Sequence, residues 1–145
     1  MIEVQPVWIN FKRKIMQMSQ KRKNDQQDNL IEELLREKAA VLSRAGFAVD
    51  EVIEQLKKID GEIKEKMSLL DSCDRDDYSS ETAQKKQLIC EEINFNIDKF
   101  NALHKKAELQ YYYLIVTREA LGLRRHEMIR EIYRIPEKKK KIRKI

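Results

Sequence analysis

The residues best suited to catalysis or metal binding stand apart from one another in this sequence. Two histidines, His104 and His126, and two cysteines, Cys73 and Cys90, make up the chain's supply of these ligand types. A zinc site needs several such ligands at close spacing, and a catalytic thiol needs a neighbouring base that stabilises the thiolate. Neither pattern is present, and Cys90 fits a small residue of the core. The sequence therefore predicts no catalytic residue, metal, cofactor or small-molecule substrate, and we expect a chain that is not an enzyme.

An acidic stretch is the remaining candidate for binding a cation. Asp71, Asp74, Asp76 and Asp77 lie close together in a polar segment rich in turn-forming residues. Carboxylates are the ligands that Ca²⁺ prefers, but the segment lacks the central glycine and terminal glutamate of an EF-hand loop. We therefore expect a solvated loop over 71–80, in which Ser79 or Ser80 caps the helix that follows.

Residues 117–132 combine a helical stretch, the turn residue Gly122 and a second helical stretch that is basic. This order resembles a helix-turn-helix motif. The resemblance implies that the side chains of Arg124, Arg125, His126 and Arg130 face DNA. Arg118 departs from the motif, which has a small residue four positions before the glycine. The interpretation that we favour is a plain helical hairpin in which Gly122 caps the first helix.

Charge is distributed unevenly along the chain. Residues 1–24 carry a net charge of +5, residues 25–100 of −8 and residues 101–145 of +8. Basic segments attract acidic partners such as nucleic acids. An alternative function is therefore nucleic-acid binding through the basic ends, above all through the C-terminal helix and tail. The residues concerned are Arg124, Arg125, Arg130, Arg134, Lys138, Lys139, Lys140 and Lys141. The plainer interpretation is a solvated surface whose charges partly pair within the fold.

The spacing of apolar residues predicts the elements that position these groups. Repeats at three and four residues predict helices over approximately 7–20, 25–44, 50–71, 80–121 and 124–134. A charged connector at 21–24 and a turn around Gly46 separate the first three, and Pro136 ends the last. We expect an all-α fold, an elongated antiparallel helical bundle with a coiled-coil-like three-helix body and short terminal helices. Residues 1–135 would form one domain, followed by a basic tail at 136–145.

Five apolar or aromatic residues are candidates for binding a protein partner: Trp8, Tyr111, Tyr112, Tyr113 and Ile115. Residues 109–116 are apolar around nearly the whole helix, which indicates burial on more than one side. The N-terminal helix, the returning C-terminal segment or a second subunit are the candidates to bury them. For Trp8 and the tyrosines, packing in the core is favoured over docking of a partner and over stacking on bases.

Apolar runs, the N-terminal pattern and the number of cysteines indicate where such a protein would be found and what it would do. No apolar run approaches the ~20 residues that span a bilayer, and the N-terminus lacks the pattern of a secretory signal. Two cysteines do not make a disulfide framework, so we expect a protein of the reducing cytoplasm. Our hypothesis is a non-enzymatic helical protein-interaction module: an adaptor, a chaperone-like factor or a small regulatory subunit. Its partner would be another protein or a second copy of the chain.

Overall fold

Helices account for most of the chain. The computed structural model describes residues 6–75 and 80–142, of which 87% are helical and none lies in a strand. Helix α1 comprises Val7–Arg75, α2 Ser80–Ala120 and α3 Glu127–Ile132, so the all-α class is confirmed. Within the described ranges, no helix combines the length and the apolar character needed to cross a membrane. The solvated loop expected over 71–80 is wrong at 71–75, which belong to α1. The predictions for Asp76, Asp77 and Ser79 fall outside the described residues, as do those for 1–5 and 143–145.

Helix α1 is continuous where the sequence predicted three helices. Both predicted connectors, at 21–24 and around Gly46, are helical. Residues 21–24 contain neither glycine nor proline, and their basic side chains favour a helix, so nothing ends α1 there. Gly46 serves packing instead of capping, because a Cβ at this position would lie 2.7 Å from the Tyr133 hydroxyl. The glycine therefore makes room for a tyrosine within an unbroken helix.

Helix α2 agrees closely with the helix predicted over 80–121, and Gly122 follows its end as expected. Gly122 has a φ of 86°, a conformation that residues with a Cβ rarely adopt. Its amide donates to the Glu119 carbonyl at 3.0 Å, and the Leu123 amide donates to the Arg118 carbonyl at 2.9 Å. These two bonds form a Schellman motif, which satisfies carbonyls at the end of α2. Helix α3, with 6 residues, is shorter than the helix predicted over 124–134.

Internal contacts divide the chain into two units, Met1–Val41 and Leu42–Ile145. The hydrophobic core lies in the second unit, where one face of α1 packs against one face of α2. Its buried members are Val52, Leu56, Ile63, Ile93, Ile97, Phe100 and Ala107. Their spacing of three, four and seven residues places them on one side of each helix, as the apolar pattern predicted.

The expected three-helix body is wrong, because the described part of this unit contains only two long helices. The turn around Gly46 that would have reversed the chain does not form, and the helices predicted over 25–44 and 50–71 are parts of the continuous α1. Ile135 and Ile142, which follow α3 and are not helical, pack against the α1–α2 core instead of a third helix.

Candidate interaction surfaces

The residues that follow α3 return to the α1–α2 pair without forming a helix. We call residues 133–142 the C-terminal segment. The side chains of Tyr133, Ile135, Lys139 and Ile142 are half-buried, and the others are exposed. The segment therefore has an inner face that contacts the helices and an outer face that is open to solvent.

Two asparagines of α2 bind the backbone of this segment. The Asn101 side chain donates to the Lys139 carbonyl at 2.9 Å and accepts from the Lys139 amide at 3.0 Å. Asn94 makes the same pair of bonds with Ile142, at 3.2 and 3.0 Å. We call Asn94 and Asn101 the asparagine clamps. Each clamp satisfies the amide and the carbonyl of one residue that lies outside any helix.

The spacing of the asparagine clamps matches an extended chain. Asn94 and Asn101 are seven residues apart, which is about 10.5 Å along a helix. Lys139 and Ile142 are three residues apart, which is about 10 Å along an extended strand. The earlier asparagine binds the later residue, so the segment runs antiparallel to α2. Sequence reasoning missed both asparagines, and the signal that could have found them is their seven-residue spacing on one face of a helix.

Lys139 adds a charged contact to the clamped backbone. Its ammonium group lies 2.5 Å from the Asp60 carboxylate of α1 and 5.0 Å from the centre of the buried Phe100 ring. Hydrogen bonds from Lys139 and Lys64 lower the pKa of Asp60 below its ordinary value of 3.8, and the bond from Lys139 has the larger effect. Because the pKa of Asp60 is lower in the folded chain, its pairing with the lysines stabilises the fold above pH 3.8. This stabilisation is lost as the pH falls through the pKa of Asp60 in the folded chain.

Tyr133 fixes the beginning of the C-terminal segment. Its hydroxyl lies against Gly46, and burial, followed by the charge of Asp50, raises the pKa of this phenol above 10.0. Tyr133 is therefore neutral at physiological pH. Farther along, an open cleft of about 490 Å³ lies beside the segment, with Ile53 and Pro136 among its lining residues. The segment thus occupies part of a larger groove between α1 and α2.

The predicted nucleic-acid-binding residues fall into two groups. Lys139 and Lys141 form ion pairs with carboxylates of the helices, and the Lys141 pair joins it to Asp98 at 3.3 Å. The other six have no carboxylate of the described residues within ion-pair distance. These six are Arg124, Arg125, Arg130, Arg134, Lys138 and Lys140. The basic residues are therefore divided between contacts within the fold and charges open to an external anion.

Contacts between α2 and the turn fix the residues that resemble a helix-turn-helix. The Arg118 guanidinium donates to the Arg125 carbonyl at 2.9 Å. Nε2 of His126 lies 3.2 Å from a carboxylate oxygen of Glu119, and the His126 side chain is 15% exposed. His126 therefore faces α2, whereas the resemblance implied that it faces DNA. With the short α3 that follows, the geometry agrees better with the favoured interpretation, in which Gly122 caps the first helix.

The tyrosine stretch is more open than the sequence predicted. Tyr111 and Ile115 are half-buried, while Tyr112 and Tyr113 are exposed, with ring centroids 6.2 Å apart. Within residues 109–116, only Leu114 is buried. Burial on several sides was expected because the stretch is apolar all round, but most of it stays open, and Tyr111 lines a cleft together with Tyr133 and Ile135. The hydroxyls of Tyr112 and Tyr113 let these side chains remain in water.

Trp8 and its neighbours form a surface in the unit Met1–Val41. We call Val7, Trp8, Phe11, Ile15 and Met18 the N-terminal apolar face. Each of these side chains is at least half exposed, and Trp8, which was expected in the core, is 63% exposed. Farther along the same helix, four more apolar side chains are more than half exposed: Leu30, Ile31, Leu34 and Leu35.

Residues with catalytic or metal-binding potential remain apart in the structure. Cys90 is buried in the core, as the sequence suggested, and His104 is buried on α2 with Nδ1 3.5 Å from Glu108. Asp74 of the acidic stretch pairs with Lys86 at 2.6 Å. No three His, Cys, Asp or Glu residues of the described ranges are grouped as a metal site.

Comparison with known proteins adds no relative. The chain matches no protein-family model, no curated protein and no solved structure at a significant level. Functional inference therefore starts from the three surfaces described here: the N-terminal apolar face, the clamped C-terminal segment and the six basic residues from Arg124 to Lys140.

Proposed function

We propose that this chain is a non-enzymatic protein-interaction module, which acts as an adaptor, a chaperone-like factor or a small regulatory subunit. The observation that carries the proposal is the N-terminal apolar face, whose five large side chains are at least half exposed. Isolated apolar residues are normal on a protein surface, but a contiguous series on one helix is typical of an interaction site. A partner that covers this face would remove all five side chains from water.

The shape of the face indicates how a partner would bind. Trp8, Phe11, Ile15 and Met18 follow a spacing of three and four residues, which is the pattern of a helix that docks into an apolar groove. Two of these residues are aromatic, and large aromatic side chains provide much of the binding energy at protein interfaces. Lys12, Arg13 and Lys14 accompany the face. The best partner is therefore a protein groove that is apolar at its centre and acidic at its rim.

The proposal is tested with one substitution on the face and a matched control beside it. Ile15→Glu places a charge on the face, and Gln17→Glu places the same charge two residues along, on another side of the helix. We expect the wild-type chain to bind an apolar fluorescent dye, or to associate in sedimentation experiments. Ile15→Glu should lower either signal several-fold, whereas Gln17→Glu should leave it nearly unchanged.

Trp8 reports on the same face without a label, because it is the chain's one tryptophan. A red-shifted emission at low concentration, which shifts to the blue as the chain or a partner is added, would support docking on this face. A monomer that binds no dye and has a blue-shifted Trp8 emission at every concentration would contradict the proposal.

Nucleic-acid binding is a second candidate function. It is favoured by the six basic residues that lack a carboxylate partner among the described residues, from Arg124 to Lys140. Such residues would bind phosphates without reading sequence, and the affinity would fall steeply as salt is added. The protein-interaction proposal remains preferred, because two lysines of the same segment already pair with Asp60 and Asp98.

A further inference from the structure

The groove between α1 and α2 recognises the C-terminal segment in two different ways. The asparagine clamps bind backbone groups, which any residue except proline offers, at positions 139 and 142. This recognition is independent of the side chains. It requires an extended chain in which the two bound residues lie three positions apart.

Side-chain contacts add sequence preference to this backbone recognition. Ile135 and Ile142 pack against the core, and Lys139 lies between the Asp60 carboxylate and the Phe100 ring. The groove thus selects an apolar residue, a lysine four residues later and another apolar residue three after that. Lys138 and Lys140, which flank the selected lysine, are exposed and add no ion pair with a described carboxylate.

We propose that this groove is a binding site for an extended, lysine-containing peptide of another polypeptide, and that the chain's own C-terminal segment occupies it as a competitor. The occupant has the pattern apolar, three residues, lysine, two residues, apolar. The charge of the groove fits such a peptide, because Asp60 and Asp98 both face lysines of the segment. The site shares no residue with the N-terminal apolar face.

The segment is held in a manner that permits exchange. Outside the asparagine clamps, no backbone hydrogen bond joins residues 134–142 to the rest of the described chain. Its outer face is open, and the cleft beside Pro136 leaves part of the groove unfilled. A second peptide can therefore enter beside the segment and replace its contacts one clamp at a time, while the α1–α2 core remains packed.

The test uses the full chain and a fluorescein-labelled synthetic peptide of residues 134–142, and binding is measured by fluorescence anisotropy. Lys139→Glu in the chain weakens the resident segment but leaves the groove intact. We expect it to bind the peptide at least tenfold more tightly than the wild-type chain does. Lys140→Glu makes the same charge change on the outer face, and we expect its affinity for the peptide to stay within about twofold of wild type.

Two further measurements separate recognition by the groove from attraction between opposite charges. Adding Asn101→Ala to the Lys139→Glu chain should abolish the gain, because one clamp is removed. A peptide that itself carries Lys139→Glu, or one with the same residues in scrambled order, should bind at least tenfold more weakly. If circular dichroism shows that the Lys139→Glu chain has lost its helices, Ile142→Ala replaces it as the variant with a weakened segment.

The proposal is overturned if the Lys139→Glu and Lys140→Glu chains bind the peptide equally. It is also overturned if the scrambled peptide binds as well as the original, or if Asn101→Ala leaves the affinity unchanged. None of these outcomes affects the docking proposal, since none of these variants alters the N-terminal apolar face.

Discussion

Gly46 and Gly61 are both glycines inside α1, yet their surroundings differ. A Cβ on Gly46 would lie 2.7 Å from the Tyr133 hydroxyl, whereas a Cβ on Gly61 would meet no atom within 4 Å. Glycine is unfavourable within a helix because its backbone loses more freedom on folding than that of other residues. Alanine at Gly61 therefore tests only the intrinsic preference of a helix for alanine over glycine. Alanine at Gly46 tests the same preference together with the lack of space beside Tyr133.

We expect Gly46→Ala to lower the free energy of unfolding by about 1–2 kcal/mol, because overpacking outweighs the helix preference. Gly61→Ala should raise it by up to about 1 kcal/mol. Equilibrium denaturation in urea measures both changes. Tyr133→Phe, which removes the crowded hydroxyl, should recover part of the loss in the Gly46→Ala chain. Equal stabilisation by the two alanines would show that Tyr133 does not pack against α1 at this point.

Helix α1 continues through a region where local signals predicted a turn. In a turn around Gly46, the neighbouring apolar residues Phe47 and Val49 would both be expected to fill the space inside the turn. In the structure they lie on different sides of one helix, with Phe47 73% exposed and Val49 fully buried. Residues two apart on a helix point in different directions, whereas residues that plug a turn would both be covered.

Substitutions at these two positions distinguish a continuous helix from a turn. Val49→Ala removes buried methyl groups and should lower the free energy of unfolding by about 2 kcal/mol. Phe47→Ala removes an exposed ring and should change it by no more than about 0.5 kcal/mol. Thermal or urea denaturation of both variants gives the comparison. A decrease of about 2 kcal/mol or more at Phe47 would indicate that its ring is covered and that the helix is broken.

The sequence predicted the elements whose local and tertiary signals agree. Helix α2 was predicted almost to the residue, because Ser80 and Gly122 are boundary signals at the two ends of an unbroken apolar repeat. The turn around Gly46 was predicted wrongly, because a glycine that caps a helix and a glycine that accommodates Tyr133 look alike in a sequence. The asparagine clamps were missed for another reason: their partners lie 38 and 48 residues away, so the seven-residue spacing of the two asparagines does not reveal what they bind.

Ion pairs within the fold join part of the acidic middle of the chain to part of its basic end. The acidic middle supplies Asp60 and Asp98, and the basic end supplies Lys139 and Lys141. Composition predicted this partial pairing as the plainer alternative to nucleic-acid binding, but it could not tell which lysines are engaged. The exposed lysines of the segment, Lys138 and Lys140, remain available to an external anion.

Binding to duplex DNA, measured at two salt concentrations, should depend on this division. We expect Lys138→Ala with Lys140→Ala to weaken any low-salt binding and to reduce its salt dependence by about one counterion for each phosphate that is no longer neutralised. Lys139→Ala with Lys141→Ala should reduce the salt dependence less, because both ammonium groups are held by carboxylates. An equal effect of the two pairs would mean that the segment leaves the groove when DNA binds.

The asparagine clamps also limit how the chain's end can vary in sequence. Each clamp needs an amide hydrogen at one position, so proline is incompatible with residues 139 and 142 and no other residue type is excluded by the backbone bonds. Pro136 lies three residues before the first clamped position, where no such hydrogen is required. The outer positions 137, 138 and 140 can accept almost any side chain without disturbing the hydrogen bonds to the backbone or the ion pairs of Lys139 and Lys141. Related sequences could therefore differ in the exposed side chains of this segment, including their charge, while the backbone of the segment stays bound to the same asparagines.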